Sequence, residues 1–253
     1  MISKVLNYVW LSNDEKPEMI NKCIKSWSKV LPEYEIREWS ANDFDFTQMP
    51  VFVREAYERR KWAFVTDYLR LYILYNNGGI YVDSDIFLKK NINEFLNNGF
   101  FSFVEYHENG FKQNQGLIDE GGNALTDGHI PGFCIQAAFM GAEKHHPFVK
   151  DCLDFYAEKH FINEDGSLFT KMIAPDIYGL IARNYGFKYI DKYQQLTDRM
   201  SIYPSKYCGG SLSEIDKENY AIHCCAGSWR DYGKIKRLIH KIKSKVMQFV
   251  YLR

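Results

Sequence analysis

Asp83 and Asp85 stand two residues apart, directly after Ile80-Tyr81-Val82, whose β-branched and aromatic side chains suit a buried strand. Carboxylates at i and i+2 of an extended chain point the same way and can share one hard divalent cation or one ligand. Left unneutralised they would repel each other, so the pair asks for a metal. Upstream, Asp67 and Arg70 are the only charged residues between Trp62 and Tyr75. At helical spacing they share one face with Ala63 and Leu74. Each needs the other or a charged ligand, because an unpaired buried ion is costly and a well-partnered one is tolerable.

The elements that must position these groups are legible around them. The run from Trp62 to Tyr75 is apolar almost all round, which predicts a buried helix. Gly78-Gly79 supplies its stop, since glycine takes the left-handed conformation without steric cost. Lys4 to Leu11 reads as a first strand ending at Trp10. Pro17 opens a helix to about Leu31, and Tyr34 to Trp39 alternates as a half-buried strand does. Strand, helix, strand is the opening of an α/β nucleotide-binding sheet.

Further along, the pattern predicts a short helix over Ile92–Leu96 and a strand over Phe100–Val104. Tyr106 to Gly132 holds six glycines in 27 residues and reads as a long mobile loop, the kind that serves as a lid or binding loop. One strand is expected over Phe133–Gly141 and an amphipathic helix over His145–Phe161. A helix over Ile173–Tyr185 should break near Pro175. Short strands are expected around Lys188–Ile190, Met200–Tyr203 and Tyr220–Cys224. The division is a domain over residues 1–232 and a basic amphipathic C-terminal helix over 233–253. In that tail Ile235, Leu238, Ile239, Ile242, Val246, Phe249 and Val250 form one stripe with lysines opposite. Such a helix lies on an anionic membrane surface or packs its stripe on its own domain.

Composition narrows the class. The 253 residues are 46% hydrophobic and 25% charged, which is a globular balance with ample core. No apolar run reaches membrane-span length and no signal-peptide pattern opens the chain, so a cytoplasmic protein is expected, peripheral on the inner face of the membrane if the tail binds lipid. Six cysteines without paired-ligand spacing read as reduced thiols. Net charge is zero, but the tail carries seven Lys or Arg and no acid, leaving the body mildly acidic. A nucleic-acid partner is therefore not expected.

Taken together, YVWL, the block AFVTDYLRLYILYNNGGIYVDSDI and the late segment IHCCAGSW resemble glycosyltransferase family 32 over most of residues 1–229. These are DXD-motif sugar transferases of capsule and surface-polysaccharide synthesis, related to the yeast initiating mannosyltransferase and distantly to the glucosyltransferase domains of large clostridial toxins. The resemblance implies a GT-A fold (a Rossmann-like mixed sheet flanked by helices), Mn2+ or Mg2+, a nucleotide-sugar donor such as a UDP-sugar, and retention of anomeric configuration. The expected acceptor is a glycan or lipid-linked glycan.

Residue by residue, the resemblance makes Asp85 the direct metal ligand. Asp83 reaches ribose and metal, and His223, otherwise readable as a core histidine, is the third ligand. Ser84 lies between the two aspartates on the donor side. Ser228 and Trp229 close over metal and leaving phosphate, and Trp10, with Val9 beside it, stacks on the donor base. Asp67 accepts from sugar hydroxyls and Arg70 pairs with donor phosphate or with Asp67. Tyr81 faces either core or ribose, and Ala63 and Phe64 either pack or contact. Gln136 and Asp176 are candidate sugar or acceptor contacts. Retention by a front-face route, with the leaving phosphate taking the acceptor proton, needs no separate base. The rival function is a catalytically degenerate nucleotide-sugar-binding or interaction protein. A phosphatase-type use of DSD lacks the Gly-Thr that such a motif wants soon after.

Overall fold

The computed structural model describes residues 1–12, 14–210 and 214–225, apart from the side chain of Asn109. Ser228, Trp229 and the tail over 233–253 lie outside the described residues.

Strand β1 (Val5–Val9), helix α1 (Glu18–Val30) and strand β2 (Glu35–Trp39) form the expected opening unit, with β1 and β2 parallel. Helix α2 (Val51–Glu58), which the sequence pattern did not announce, leads into α3 (Trp62–Asn77). Gly78 caps α3 with φ 68° and its N–H bonds Leu74 O. Gly79 follows at φ 95°, where a Cβ would lie 2.7 Å from Val5 O, so both positions require glycine. Strand β3 (Gly79–Val82) then pairs in parallel with β1. A tight turn carries the chain into β4 (Ile86–Leu88).

Strands β5 (Phe100–Tyr106), β6 (Phe133–Ile135), β7 (Phe139–Ala142), β8 (Gln194–Gln195) and β9 (Met200–Tyr203) complete the main sheet. Its order is β2-β1-β3-β7-β5-β9-β8, with β6 on the end of β5. The β3–β7 and β5–β7 pairs are antiparallel and the rest of the path is parallel except β8–β9. This is the mixed α/β sheet expected from sequence. Strands β10 (Cys208–Gly209) and β11 (Ala221–His223) join β4 in a second, three-stranded sheet.

Helices cover both faces. On one, α2, α3, α5 (Pro147–Ala157) and α6 (Ala174–Ala182) bury Phe52, Leu69, Ile73, Phe148 and Tyr178 against Tyr81 and Met140. On the other, Trp27 of α1 packs with Leu6, Ile80, Val82 and Phe139. The period-two alternation of β3 thus sends Ile80 and Val82 to one core and Tyr81 to the other.

Several expectations need correction. The segment from Tyr106 to Gly132 is not loop throughout: it opens with α4 (Glu108–Asn114), where Phe111 packs on Tyr106 and Phe133. Phe133–Gly141 is two strands, because the Gln136 side chain accepts the Ala138 N–H in a turn that moves the chain from the end of β5 to a place between β3 and β5. Pro175 does not break α6 but occupies its first turn, where its missing N–H costs nothing. Around Lys188–Ile190 no strand forms; the Gln194 side chain bonds the Lys188 N–H and the Lys188 and Ile190 carbonyls, and the strand lies at Gln194–Gln195.

Candidate functional site

The carboxyl end of β3 is where the chemistry-bearing side chains meet. Asp83 and Asp85 do not sit on extended chain as expected; they flank a turn closed by Ile86 N–H to Asp83 O at 3.0 Å, with half-buried Ser84 between them. The turn leaves ligand atoms of the two carboxylates within 4.8 Å of each other, and Asp83 N–H is tied to Ala138 O of the adjoining segment.

Arg70 is buried, at 5% exposure, and reaches Asp67 at 3.1 Å and Asp83 at 3.3 Å with the same terminal nitrogen. Burial opposes its charge, but Asp83 and Asp67 together hold its pKa well above the ordinary value. Asp67 goes the other way: burial pushes it up to about 6 although Arg70 works against the rise. Tyr81, expected to face core or ribose, does a third thing. Its ring lies under the Arg70 guanidinium at 5.3 Å and its hydroxyl donates to Asp83 at 2.8 Å. Asp83 is therefore aimed by two partners from one contiguous stretch of chain. Among the described residues Arg70 Nε is buried without a hydrogen-bond partner, as is the hydroxyl of Tyr156 on α5.

Asp85 is held from the other side. β11 pairs with β4 so that His223 stands opposite Ile86, and Cys224 N–H bonds Asp85 O at 3.0 Å. His223 Nε2 lies 3.5 Å from Asp85. Burial disfavours charge on this imidazole, yet Cys225 and Asp85 beside it raise its pKa well above the usual histidine range. α1 fixes β4 from below, since Trp27 Nε1 donates to Ile86 O at 2.7 Å and Ser26 Oγ accepts from Leu88 N–H at 2.9 Å. Sequence reasoning missed these two positioning residues and β4 itself, although the short apolar run IFL directly after Asp85 was the available signal.

The three residues singled out as metal ligands converge. Asp83, Asp85 and His223 each offer a ligand atom, all within 4.8 Å of one another. Two carboxylates and one imidazole form a mixed oxygen and nitrogen donor set, compatible with manganese and, through its oxygens, with magnesium.

At the same sheet edge, past the end of β1, a cleft of about 260 Å³ is lined by Trp10, Ser12, Lys16, Glu38 and Ser40. Trp10 is half-buried, donates Nε1–H to Asp14 O at 3.2 Å and has Lys16 Nζ 5.3 Å from its ring centroid. Val9 is in the core, at 7% exposure, as are Phe64 and, beneath the sheet edge, Gln136. Asp176 takes the Cys134 thiol at 2.9 Å and the Ile173 N–H at 3.3 Å, which makes it a helix-start residue engaged by its own neighbourhood.

The family model described as capsular polysaccharide synthesis protein matches residues 4–197. The chain belongs to this family. A curated relative, a glycosyltransferase of Acanthamoeba polyphaga mimivirus described as uncharacterized, is 32% identical over 116 residues. That alignment takes in 42% of this chain and 44% of the relative, so the chain spans less than half the relative's length. Among solved structures, the PaToxG glycosyltransferase is similar at TM-score 0.48 and 18% identity, over 72% of this chain and 69% of that one. The galactosyltransferase LgtC, in complex with donor and acceptor sugar analogs, is similar at TM-score 0.44 and 12% identity, over 96% and 95% of the two chains.

Proposed function

We propose that this member of the capsular polysaccharide synthesis family is a retaining, metal-dependent GT-A glycosyltransferase. It moves a hexose or N-acetylhexosamine from a nucleotide-sugar, a UDP-sugar in the first instance, to a surface-polysaccharide or lipid-linked glycan acceptor. The observation that carries the reading is the convergence of Asp83, Asp85 and His223 within 4.8 Å, beside buried Arg70 and its half-buried partner Asp67.

In this reading Asp85 and His223 hold the cation directly and Asp83 shares it. When bound, such a cation supplies electrostatic stabilisation of the charge that develops on a leaving pyrophosphate. Arg70, kept charged by its two carboxylates, stands where donor phosphate or sugar would approach Asp83. Asp67, once ionised, accepts from sugar hydroxyls. Trp10, in the cleft at the end of β1, offers its ring to the donor base, with Lys16 and Glu38 beside it. Ser228 and Trp229 close over the leaving phosphate, and a front-face displacement lets that phosphate take the acceptor proton. The basic tail over 233–253 is assigned to the inner membrane face. Among the described residues no helix is long and apolar enough to cross a membrane.

The deciding experiment is calorimetric titration of UDP, and separately GDP, into the protein with manganese and again with excess chelator. Manganese-dependent binding of UDP alone is the expected result. Binding of neither nucleotide would remove the donor reading and leave the degenerate interaction protein in its place.

A further inference from the structure

The turn joining α2 to α3 lies at the same sheet edge as the site. α3 runs into β3 through Gly78, so its first turn returns to the carboxyl end of β3, and Lys61 precedes Asp67 by about 9 Å of helix rise. This turn is built from Glu58-Arg59-Arg60-Lys61-Trp62. Arg54, Arg59 and Arg60 are exposed and make no ion pair among the described residues. Of the acids nearby, Glu55 is turned inward, accepting from the Phe161 and Ile162 amides and pairing with His160 at 3.0 Å, and Asp45 caps Thr47. Glu58 is the exposed acid within the turn.

Arg60 adds an observation about the backbone. It closes α2 at φ 54°, with its N–H on Tyr57 O and the Lys61 N–H on Ala56 O, both at 2.9 Å. That left-handed position is one glycine fills without steric cost and a side chain with a Cβ does not. An arginine stands there against local preference, and strain of this kind is concentrated at functional sites.

Beside the arginines lie half-buried rings. Phe46 and Tyr57 stack at 3.9 Å and Trp62 meets Tyr57 edge-on at 5.4 Å. Phe46 and Tyr57 each give one face to the other, and a cluster of half-buried aromatic rings beside arginines suits an interfacial layer.

We propose that the rim of Phe46, Tyr57 and Trp62 with Arg54, Arg59 and Arg60 docks the protein on an anionic phospholipid surface. The unpaired guanidinium groups meet lipid phosphates, the rings enter the headgroup layer, and the carboxyl-edge site is presented to that layer. The proposal rests on the transferase reading only for what docking accomplishes; the docking itself is read without nucleotide.

The test is co-sedimentation of the full chain with phosphatidylcholine vesicles and with vesicles containing phosphatidylglycerol. It uses the parent and Arg54→Ser/Arg59→Ser/Arg60→Gly, each also in a background with Lys236→Ser/Lys241→Ser/Lys243→Ser to subtract the tail. A basic residue near an anionic surface contributes roughly fivefold in partitioning, so the rim variant should bind phosphatidylglycerol vesicles at least tenfold less well in both backgrounds. Its melting temperature should hold or rise, since Arg60→Gly relieves the left-handed residue. Brominated lipid should quench Trp fluorescence of the parent and lose that fraction in Trp62→Phe. Equal partitioning of parent and rim variant would overturn the proposal, as would a parent that ignores phosphatidylglycerol. So would a rim variant that loses binding to a soluble acidic polysaccharide while keeping vesicle binding. Manganese-dependent UDP binding, measured in parallel and unchanged by the rim substitutions, keeps this outcome separate from that of the donor reading.

Discussion

The two sides of the proposed metal-ligand cluster are held by different means. On the α3–β3 side, Asp67, Arg70, Tyr81 and Asp83 come from one stretch of chain and are bound to each other by ion pairs, a ring contact and a hydrogen bond, with Arg70 and Tyr81 buried and the two carboxylates half-buried at the edge of the core. On the β4–β11 side, Asp85 and His223 are far apart in sequence and meet through two three-residue strands, steadied by α1. The first side is wired for charge and cannot lose a member quietly. The second is a matter of register, where small displacements of β4 or β11 change the ligand distances while leaving the core intact.

Arg70→Met should break this contrast most severely. It leaves Asp67 and Asp83 facing each other without their shared cation, and removing one partner of a buried ionic group costs about 3–5 kcal/mol. Urea unfolding should report that loss. Asp67→Leu added to Arg70→Met should restore part of it, since the remaining buried charge is then reduced. If Arg70→Met unfolded like the parent, the α3 side would not be the rigid one.

Asp85→Asn tests the other side and should show the opposite profile. Loss of an electrostatic group acting on a developing charge is worth about 10²–10³ in rate, so manganese-dependent transfer and UDP binding should fall by that order while the unfolding midpoint barely moves. His223→Gln should follow it in direction. A large stability loss in either variant would mean that the β4–β11 side is as load-sharing as the α3 side.

This contrast also explains what could be seen in the sequence. The α3–β3 side was legible because its groups repeat at helical spacing, stop at two glycines and resume at strand spacing within one run, Lys61 to Leu88. The opening β-α-β unit and its parallel pairing were legible for the same local reason. β11 was legible as the strand expected over Tyr220–Cys224, but β4 and β10 were not, because strands of two or three residues carry too little periodicity, and the pairing of all three joins distant segments. His223 was reached only through the resemblance to a family motif. The turn geometry of Asp83–Asp85 escaped because alternation says where an extended chain points and not where it bends. Gln136 and Asp176 looked like contact residues by type, and their engagement by Ala138 N–H and by Cys134 and Ile173 N–H could be seen only in three dimensions.

The pH response separates the sides more gently. Asp67 is pushed up to about 6 by burial, so lowering the pH from 7 to 5 should neutralise most of it and lower donor turnover by about tenfold through the α3 side. The stability sign is the reverse. A carboxyl whose pKa is raised on folding contributes stability below its unfolded pKa and loses that contribution as pH rises through about 6. Falling activity between pH 7 and 5 without a matching loss of stability from this group is therefore the expected pattern. Rates and melting temperatures measured together will show it, with Asp67→Asn giving a flatter rate profile across that window.

Ser26→Ala is the smallest and most selective probe. Ser26 Oγ takes the Leu88 N–H at 2.9 Å and donates to Cys23 O at 2.6 Å, so it links α1 to β4 without touching the ligands. Deleting the hydroxyl should cost about 1 kcal/mol of global stability, the ordinary net worth of such a bond. Its informative effect is on the cluster: β4 loses one of its two ties to α1, and manganese affinity should weaken several-fold while the Arg70-dependent unfolding behaviour stays as in the parent. Titration of manganese against the variant, with UDP present and absent, would register that shift. Unchanged manganese affinity alongside the stability loss would show that, of the two ties from α1, Trp27–Ile86 suffices to hold β4 in register against β11, and would move the α1 share of that control from two residues to one.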